Sequence, residues 1–559
     1  MKKLRLLTGL VILATSLTAT AQGLGKNYKG TYDGNPISPC VFCADPTALV
    51  FDGRVYVYGT NDSQQFISNG KKGENNYGSI KSLVIFSSAD MVNWTFHGTI
   101  DVAKLCSSWG WRFANSWAPS VTWRVGDDGR NEFFLYFANS GGSVGMLKAY
   151  SPVGPWSSPL TKPLIDGDTP GVKPCNWIFD PGVVIDEEGN GWLAFGGGDP
   201  NNQGTKLMPN NACIIKLKKR MSAFEGSAVK LPAPYMFEAS ELNIMNGKFV
   251  YTFNTSWSDR NDWNSYPKRG SYSAPSSCSM CYMVSDTPMD PDSWQYKGEY
   301  LANPGTFGFG YGNNHTHLQK FEGNYYLFYH NSILEQKMQT GASGFRSIGV
   351  DKATVNENTQ QISKVSMTTG GPQAIKNLNP FVEQQAETMA TAGGISYESF
   401  TNITKAPSVS NLGNDASQNL QVSMSPGSWT MLRSVDFGEG AQSFTLKASG
   451  TGKMEIRFNS ISALTSATIE FSSTGIEEHT IPLDANIFKG VKKVFFVFTE
   501  ANNVRFDAWQ FSESLPVGIE EATVSSPQQS ETYTISGVRL QKEPAKGIYI
   551  KGKKKYVKK

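Results

Sequence analysis

A short pattern recurs five times in the first two thirds of this 559-residue chain and limits the folds that the chain can adopt. In its clearest copy, residues 178–196, Asp180 precedes an apolar run, a glycine-rich acidic turn follows, and a second apolar run ends the copy. Such turns between apolar runs predict β-hairpins, because glycine, asparagine and aspartate supply the positive φ that tight turns need. The other four copies open at Asp45, Trp117, Glu238 and His315.

The spacing of the copies predicts a closed ring of β-sheets. The opening residues lie 72, 63, 58 and 77 positions apart, which is enough for four strands and generous loops in each copy. Five units are few for a solenoid, whereas radial closure removes exposed sheet edges. We therefore predict a five-bladed β-propeller over residues 22–375, with the opening residues gathered at one mouth of its central channel.

Composition favours an all-β chain of several domains. The chain is too long for one hydrophobic core, and 55 glycines with only 18% charged residues favour a turn-rich β protein. Short alternating strands without helical periodicity predict a β-sandwich of the jelly-roll type over residues 381–513. Residues 517–559 contain further short apolar runs and predict a small C-terminal β domain.

The distribution of charge argues against a nucleic-acid partner. Seven lysines lie in residues 546–559, and removing them from the formal net charge of +3 leaves −4 on the rest of the chain. A mildly acidic body has no basic face for nucleic acid.

The first 21 residues predict export. They combine a basic start, a short apolar core and the small-residue sequence Ala19-Thr20-Ala21, which is typical of a cleaved signal peptide. No other run approaches the roughly 20 apolar residues of a membrane helix, so we expect no transmembrane segment.

The seven cysteines leave several interpretations open. Cys40 and Cys43, and likewise Cys278 and Cys281, have the spacing of a zinc site or of redox pairs. The two pairs lie far apart in sequence without ribbon-like turns, and export favours disulfides. Disulfides or inert thiols are therefore the favoured interpretation, with at least one thiol unpaired.

Three of the five opening residues are carboxylates, and together they indicate acid–base chemistry. Asp45, Asp180 and Glu238 would converge on one mouth, where three like charges cost stability unless function requires them. Two carboxyl groups with room for a water are the apparatus of inverting glycoside hydrolysis, and a third can keep the acid protonated. Glu241 competes with Glu238, but strand alternation predicts that it faces the other way.

Aromatic side chains could supply stacking surface for sugar rings at the same mouth. We expect two or three of five candidates to lie there, and the rest to lie in the core. The candidates are Phe42, Trp94, Trp117, Phe179 and Trp257.

Residues 35–370 resemble glycoside hydrolase family 43, the five-bladed propellers that trim arabinoxylan and related pentose polymers. The motifs that carry the resemblance are Ala44-Asp45-Pro46, Trp117-Ala118-Pro119, Phe179-Asp180-Pro181, Phe237-Glu238-Ala239-Ser240 and Asn313-Asn314-His315. The resemblance implies Asp45 as general base, Glu238 as general acid and Asp180 as the residue that tunes the pKa of the acid.

The resemblance also implies contacts to a pentose-containing polysaccharide. Arg346 resembles an arginine that contacts substrate, and Trp117 and Phe179 would add aromatic contacts. His315 resembles the family's central histidine, which implies substrate contact and a place near a calcium ion or water cluster in the channel. An α-L-arabinofuranosidase and a β-xylosidase both fit. The alternatives are a non-catalytic glycan-binding propeller and a propeller transglycosidase or phosphorylase.

Residues 381–513 are similar to carbohydrate-binding module family 6. The similarity lies in Glu383–Met389, Gly427–Trp429, Val435–Gly438 and Arg505–Phe511. It implies a structural Ca²⁺ ion held by oxygen atoms of Gln385, Glu387 and Asp507, since calcium prefers oxygen ligands. The family's sugar-stacking tryptophan is absent from residues 473–479, so a glycan-binding module and a purely structural sandwich both remain open.

The tail from Val517 resembles the sorting domains that the type IX secretion system of some Gram-negative bacteria recognises. Residues 533–540 and 546–554 carry this resemblance. It implies the secretion machinery as a partner and a secreted or cell-surface location in a Gram-negative bacterium. The alternative is a solvated basic tail that binds anionic envelope surfaces.

Overall fold

The computed structural model describes residues 23–200, 203–401, 420–515 and short stretches between 532 and 558. It divides into two compact units, residues 1–513 and 514–559, and each is described by itself. The predicted signal peptide, residues 1–21, lies outside the described residues. Strands dominate both units, which confirms the all-β fold class.

Five sheets, named blades I to V in chain order, make up residues 44–353. The strands of blade I are Ala44–Phe51, Arg54–Thr60, Leu83–Ser88 and Trp94–Ile100. Those of blade II are Trp117–Val125, Asn131–Asn139 and Ser143–Ala149. Those of blade III are Gly182–Ile185, Gly191–Phe195, Cys213–Leu217 and Phe224–Lys230. Those of blade IV are Met236–Met245, Lys248–Thr255, Met280–Ser285 and Gln295–Leu301. Those of blade V are Thr316–Phe321, Asn324–Asn331 and Ser347–Ala353.

The five blades close into a ring, which confirms the propeller. The first strand of each blade contacts the first strand of the next, and blade V contacts blade I in the same way. The segment before blade I ties the ring together, because Ile37 N–H donates to Ile348 O at 2.8 Å and Cys43 N–H to Arg346 O at 2.9 Å. At Gly182 a Cβ atom would lie 2.4 Å from the Cα atom of Glu241, so glycine permits the close approach of blades III and IV.

Apolar side chains fill the space between neighbouring blades. Blades II and III, for example, enclose a buried cluster that includes Phe134, Tyr136, Leu193, Phe195 and Ile215. Strands covered on both faces carry near-continuous apolar runs instead of an alternation of apolar and polar residues. The repeat could be recognised in the sequence from such runs. Each such side chain contributes about 1.5–3 kcal/mol on burial.

Helices and small strand pairs occupy the connections. The α-helices are Asp62–Ser68, Val102–Leu105 and Ile333–Met338. The 3₁₀ turns are Ser107–Arg112, Trp263–Ser265, Pro291–Ser293, Pro304–Phe307 and Tyr397–Ser399. Gly73–Glu74 pairs in parallel with Ala342–Ser343, and Val355–Asn356 pairs with Gln361–Ile362.

A β-sandwich follows the propeller, as predicted. Its strands are Gln384–Gln385, Thr391–Gly393, Phe400–Thr401, Gln421–Met424, Trp429–Asp436, Ser443–Phe458, Thr465–Pro482 and Val491–Ser512. The last of these pairs with four other strands along its length, because a 22-residue strand is long enough to serve different partners at its two ends.

The sandwich is joined to the outer edge of blade I. Thr388 and Met389 pair with Thr95 and Trp94 of the outermost strand. Arg433 N–H donates to Asn93 Oδ1 at 2.8 Å, and Asn93 Nδ2 donates to Arg433 O at the same distance.

The C-terminal unit contains a four-stranded sheet in the order Arg539–Leu540, Thr532–Thr534, Gly547–Lys551 and Lys554–Lys558. This agrees with the predicted small β domain.

All seven cysteines are free thiols, six of them buried and Cys175 partly so. The structure therefore supports unpaired thiols and not disulfides. Cys175 is not inert, because a hydrogen bond with Cys213 lowers its pKa to about 7. Within residues 23–200, 203–401 and 420–515 and the described part of the tail, no group of three His, Cys, Asp or Glu side chains could hold a metal ion. In the same residues, no helix is long and apolar enough to cross a membrane.

Candidate active site

A cavity of about 370 Å³ opens where the first strands of the blades begin. It contains the three predicted carboxylates and all four predicted substrate contacts. The lining residues are Asp45, Tyr77, Trp117, Gly141, Trp177, Phe179, Asp180, Glu238, Asn313, His315 and Arg346. The mouth predicted from the repeat is thus a real cavity.

Left-handed backbone places two of the carboxylates. Asp45 has φ 50° and Asp180 has φ 44°, and a proline follows each of them. Aspartate tolerates this region better than most residues, and the kink turns its carboxyl group into the cavity just before the strand straightens. Alanine holds the same place in blades II and IV, where Ala118 has φ 39° and Ala239 has φ 62°.

This backbone register corrects one prediction. Glu238 lies one residue before the left-handed position, as Trp117 does in blade II. Asp45 and Asp180 therefore occupy equivalent positions of the repeat, and Glu238 does not. Taking all three carboxylates as opening residues of equivalent copies is wrong for Glu238. Its side chain, one methylene longer than that of aspartate, still reaches the cavity.

The prediction that Glu241 faces away from the channel is also wrong. The pairing of its strand shifts register on both sides of Glu238, so the simple alternation is lost. Glu241 accepts a hydrogen bond from Ser120 Oγ at 3.0 Å, and its Oε2 lies 3.2 Å from His317 Nδ1. Both partners lie on inner strands of other blades, so Glu241 faces the channel below the cavity.

Asp45 is held as an ionised carboxylate. Its Oδ1 accepts from Arg346 Nη1 at 2.8 Å and its Oδ2 from Thr60 Oγ1 at 2.6 Å. Its N–H donates to His330 Nδ1 at 3.1 Å, and His330 Nε2 lies 2.9 Å from Asn313 O. Burial acts to raise the pKa of Asp45, but the Arg346 guanidinium together with His330 and His315 outweighs burial and holds that pKa well below its usual range.

Glu238 and Asp180 are shifted in the opposite direction. Burial, followed by the charges of Asp180 and Asp45, raises the pKa of Glu238 well above its usual value. Burial and the charge of Asp45 raise the pKa of Asp180 to about 7, against the hydrogen bond of 2.8 Å from Ala239 N–H. Titratable neighbours with pKa values pushed apart are what acid–base chemistry requires.

Two amides orient the carboxyl group of Glu238. Asn254 Nδ2 lies 3.2 Å from Oε1, and Asn313 Nδ2 lies 3.2 Å from Oε2. Asn254 is buried on the neighbouring strand of blade IV. The carboxyl group therefore has a fixed direction at the edge of the cavity.

Arg346 is bound to a fourth carboxylate that the sequence did not reveal. Its Nε and Nη2 donate to Asp62 at 3.0 and 2.9 Å, and its guanidinium lies 5.0 Å from the ring centre of Tyr77. Asp62 opens a short helix, where an acidic residue is ordinary. For this reason the sequence did not indicate that Asp62 lies beside the site.

His315 lines the cavity but does not fit a calcium site. Burial lowers its pKa to about 4, and its Nδ1 lies 3.7 Å from Asp45 Oδ1. Asp45 already accepts from Arg346 and Thr60, and the guanidinium places a positive charge beside the histidine. A second positive charge beside this guanidinium is disfavoured, so we assign no metal to His315.

Two of the five aromatic candidates, Trp117 and Phe179, line the cavity. Phe42 and Trp94 are buried in clusters away from it, and Trp257 is 47% exposed. Sequence reasoning missed Trp177, which lines the cavity and packs edge-to-face on Phe179 with ring centres 5.3 Å apart.

The predicted calcium ligands of the sandwich lie close together. Glu387 is buried, and its Oε2 has no hydrogen-bond partner among the residues that the structure describes. Asp507 is next to it, since Ala386 N–H donates to Asp507 O at 2.9 Å, and Gln385 pairs with Ala508. Burial and the charge of Asp507 raise the pKa of Glu387. An unsatisfied buried carboxyl oxygen beside two further oxygen donors fits a hard cation.

Comparison with known proteins identifies the class. The family model "Glycosyl hydrolases family 43" matches residues 34–360, and the model "Carbohydrate binding module (family 6)" matches residues 385–513. The chain is a glycoside hydrolase. It belongs to glycosyl hydrolase family 43 and carries a C-terminal family 6 module.

Relatives match most of the chain. An arabinoxylan arabinofuranohydrolase of Bacillus subtilis is 36% identical over 525 residues, which cover 91% of this chain and 96% of that protein. A second, of Paenibacillus polymyxa, is 35% identical and covers 86% of this chain and 74% of that protein. The crystal structure of the Bacillus subtilis family 43 enzyme in complex with cellotetraose has a TM-score of 0.76 at 33% identity, over 88% of this chain and 99% of that one. An enzyme is therefore supported over a non-catalytic glycan-binding propeller.

Proposed function

We propose that the chain is an exported, inverting, exo-acting α-L-arabinofuranosidase that removes arabinose from arabinoxylan. The observation that carries the proposal is a single cavity with an ionised Asp45 on blade I and a protonated Glu238 on blade IV. The names of the two relatives that match most of the chain favour arabinofuranosidase over β-xylosidase.

The proposed reaction is a single displacement. Asp45 accepts a proton from a water molecule as that water attacks the anomeric carbon of the sugar. The bond from this carbon to the leaving oxygen breaks, and Glu238 gives its proton to that oxygen. Attack from the face opposite the leaving group inverts the anomeric centre. Asp180 and Asp45 keep the acid protonated until that step.

Exposed aromatic side chains support a polymeric substrate. Trp111 is 85% exposed and Tyr311 is 76% exposed. Both lie in connections between the last strand of one blade and the first strand of the next, which is the end where the cavity opens. Such surfaces could stack on sugar rings of a main chain while one arabinose side group enters the cavity.

A substrate screen tests the proposed specificity. Aryl α-L-arabinofuranoside and arabinoxylan are expected to release arabinose, and aryl β-D-xyloside is expected to release little or no xylose. Xylose as the main product would establish the β-xylosidase instead. Turnover that requires phosphate would establish a phosphorylase.

Asp180→Asn is expected to move the basic limb of the kcat–pH profile to lower pH by about one unit. The carboxylate of Asp180 opposes the ionisation of Glu238, so its removal lets the acid lose its proton earlier. The acidic limb, set by Asp45, should move less. A basic limb that stays in place would show that Asp180 does not tune the acid.

We further propose that Gln385, Glu387 and Asp507 hold a structural Ca²⁺ ion in the sandwich. Calcium at 100 times its Kd is expected to raise the free energy of unfolding by about 2.7 kcal/mol, measured as a higher Tm than in EDTA. Glu387→Gln should remove this calcium-dependent shift, whereas the exposed Glu477→Gln should retain it. An equal Tm in calcium and EDTA for the unmodified chain would contradict the site.

The proposed location is the cell surface or medium of a Gram-negative bacterium. Residues 1–21 support export and residues 517–559 support type IX sorting. Deleting residues 517–559 is expected to leave active enzyme in the periplasm. Unchanged release to the surface would favour a tail that binds anionic envelope components after export by another route.

A further inference from the structure

We propose that Asp62 is a positioning residue for the base: it holds Arg346 in the one orientation that places a guanidinium N–H on Asp45. This inference rests on the proposed function of Asp45 as general base. Asp62 is outside the cavity lining, so it would act through Arg346 and not on the sugar.

The hydrogen bonds of Arg346 are divided between two carboxylates. Asp62 Oδ2 accepts from Nε and from the backbone N–H of Arg346, both at 3.0 Å, and Oδ1 accepts from Nη2 at 2.9 Å. Nη1 is left to donate to Asp45 at 2.8 Å. A two-point contact fixes the plane of a guanidinium, which a single contact cannot do. Asp62 thus sets the direction from which Asp45 is approached.

Packing fixes Asp62 itself. It is fully buried and opens a short helix on the connection after the second strand of blade I. Phe66 of that helix packs on Phe42 and Phe345, with ring centres 4.8 and 5.2 Å apart. Phe345 directly precedes Arg346, so one aromatic cluster holds both partners of the ion pair.

The ion pair lies among other titratable groups, which any change of charge would affect. Those on the cavity side are Asp45, Tyr77, Asp180, Glu238, His315 and His330. Cys43 and Glu335 lie on the other side. Asp62 balances the charge of Arg346, and it thereby also limits how strongly the guanidinium favours ionisation of Glu238 and Asp180.

Asp62→Ala is the test. Arg346 would lose three of the four hydrogen bonds that it donates, and its guanidinium could leave Asp45. We expect kcat to fall about 10²-fold with a smaller change in KM. The acidic limb of the kcat–pH profile should move to higher pH, because the pKa of Asp45 is no longer held down by a fixed guanidinium. Asp62→Asn, which keeps the size and one acceptor, should lower kcat less than Asp62→Ala does.

Asp351→Asn is the matched control. Like Asp62, Asp351 is a buried aspartate outside the cavity lining, but it lies on blade V. It accepts hydrogen bonds from Tyr329 and Thr368. Its substitution should lower Tm and leave the acidic limb in place.

Wild-type kcat and an unmoved acidic limb in the Asp62 variants, with or without a lower Tm, would overturn the inference. If Asp62→Ala does not fold, the kcat of Asp62→Asn decides whether the inference stands. Activity retained in Asp45→Asn would instead refute the proposed base, so the two failures are distinguishable.

Discussion

Asp45→Asn is expected to lower kcat on arabinoxylan by about four orders of magnitude. An amide cannot accept a proton from the attacking water, whereas the substituted side chain keeps the size of aspartate. Its oxygen can still accept from Arg346, and its NH₂ group can donate to Thr60 Oγ1. The fold should survive, because the propeller core between the blades does not involve this side chain. Initial rates of arabinose release, with Tm measured in parallel, check the prediction.

The matched control for this variant is Asp52→Asn. Asp52 lies in the exposed turn of the same blade, also at a positive φ of 46°. It should retain the rate of the unmodified enzyme. A wild-type rate in Asp45→Asn would exclude Asp45 as the base and leave the attacking water without an assigned partner in the cavity.

Glu238→Gln is expected to lower kcat on arabinoxylan by about 10²- to 10⁴-fold. Glutamine cannot donate a proton to a sugar alkoxide, which is a poor leaving group. The dinitrophenolate group of a dinitrophenyl arabinofuranoside leaves without protonation. The kcat of Glu238→Gln on that substrate should therefore fall far less than its kcat on arabinoxylan. The basic limb of the pH profile should also disappear, because the group that sets it is gone.

Comparison of the two substrates makes this prediction specific to an acid. Equal losses on arabinoxylan and on the dinitrophenyl substrate would point to a binding or folding defect and not to lost proton donation. Glu187→Gln, in an exposed turn of blade III, should behave like the unmodified enzyme on both substrates.

The repeat was sufficient to predict the propeller and the mouth at which its cavity opens. Acidic and glycine-rich turns between apolar runs specify hairpins locally, and five copies specify closure. The kink before each strand is also local, since proline follows Asp45 and Asp180. The position of these two carboxylates could therefore be predicted from the residues around them.

Features that depend on pairing between strands could not be predicted in this way. The register shifts around Glu238 move it one residue off the repeat and turn Glu241 into the channel. Simple alternation gave the wrong face for Glu241, because a bulge is decided by the neighbouring strand as much as by the sequence of its own strand.

Asp62 was missed for a different reason. It meets Arg346 across 284 residues of sequence, and an aspartate at the start of a short helix carries no signal beyond helix formation. Arg346 itself was predicted only as a substrate contact, whereas in the structure it donates hydrogen bonds to the carboxylates of Asp45 and Asp62. Long-range ion pairs of this kind become visible only once the ring has closed.

The stereochemistry of the first product tests the central claim most directly. Proton NMR in D₂O, recorded within the first minutes of aryl α-L-arabinofuranoside hydrolysis, distinguishes the two arabinose anomers before they equilibrate. Direct attack of water activated by Asp45, with proton donation by Glu238, predicts that β-L-arabinofuranose forms first. Initial formation of the α-anomer would require a covalent intermediate and would contradict the account.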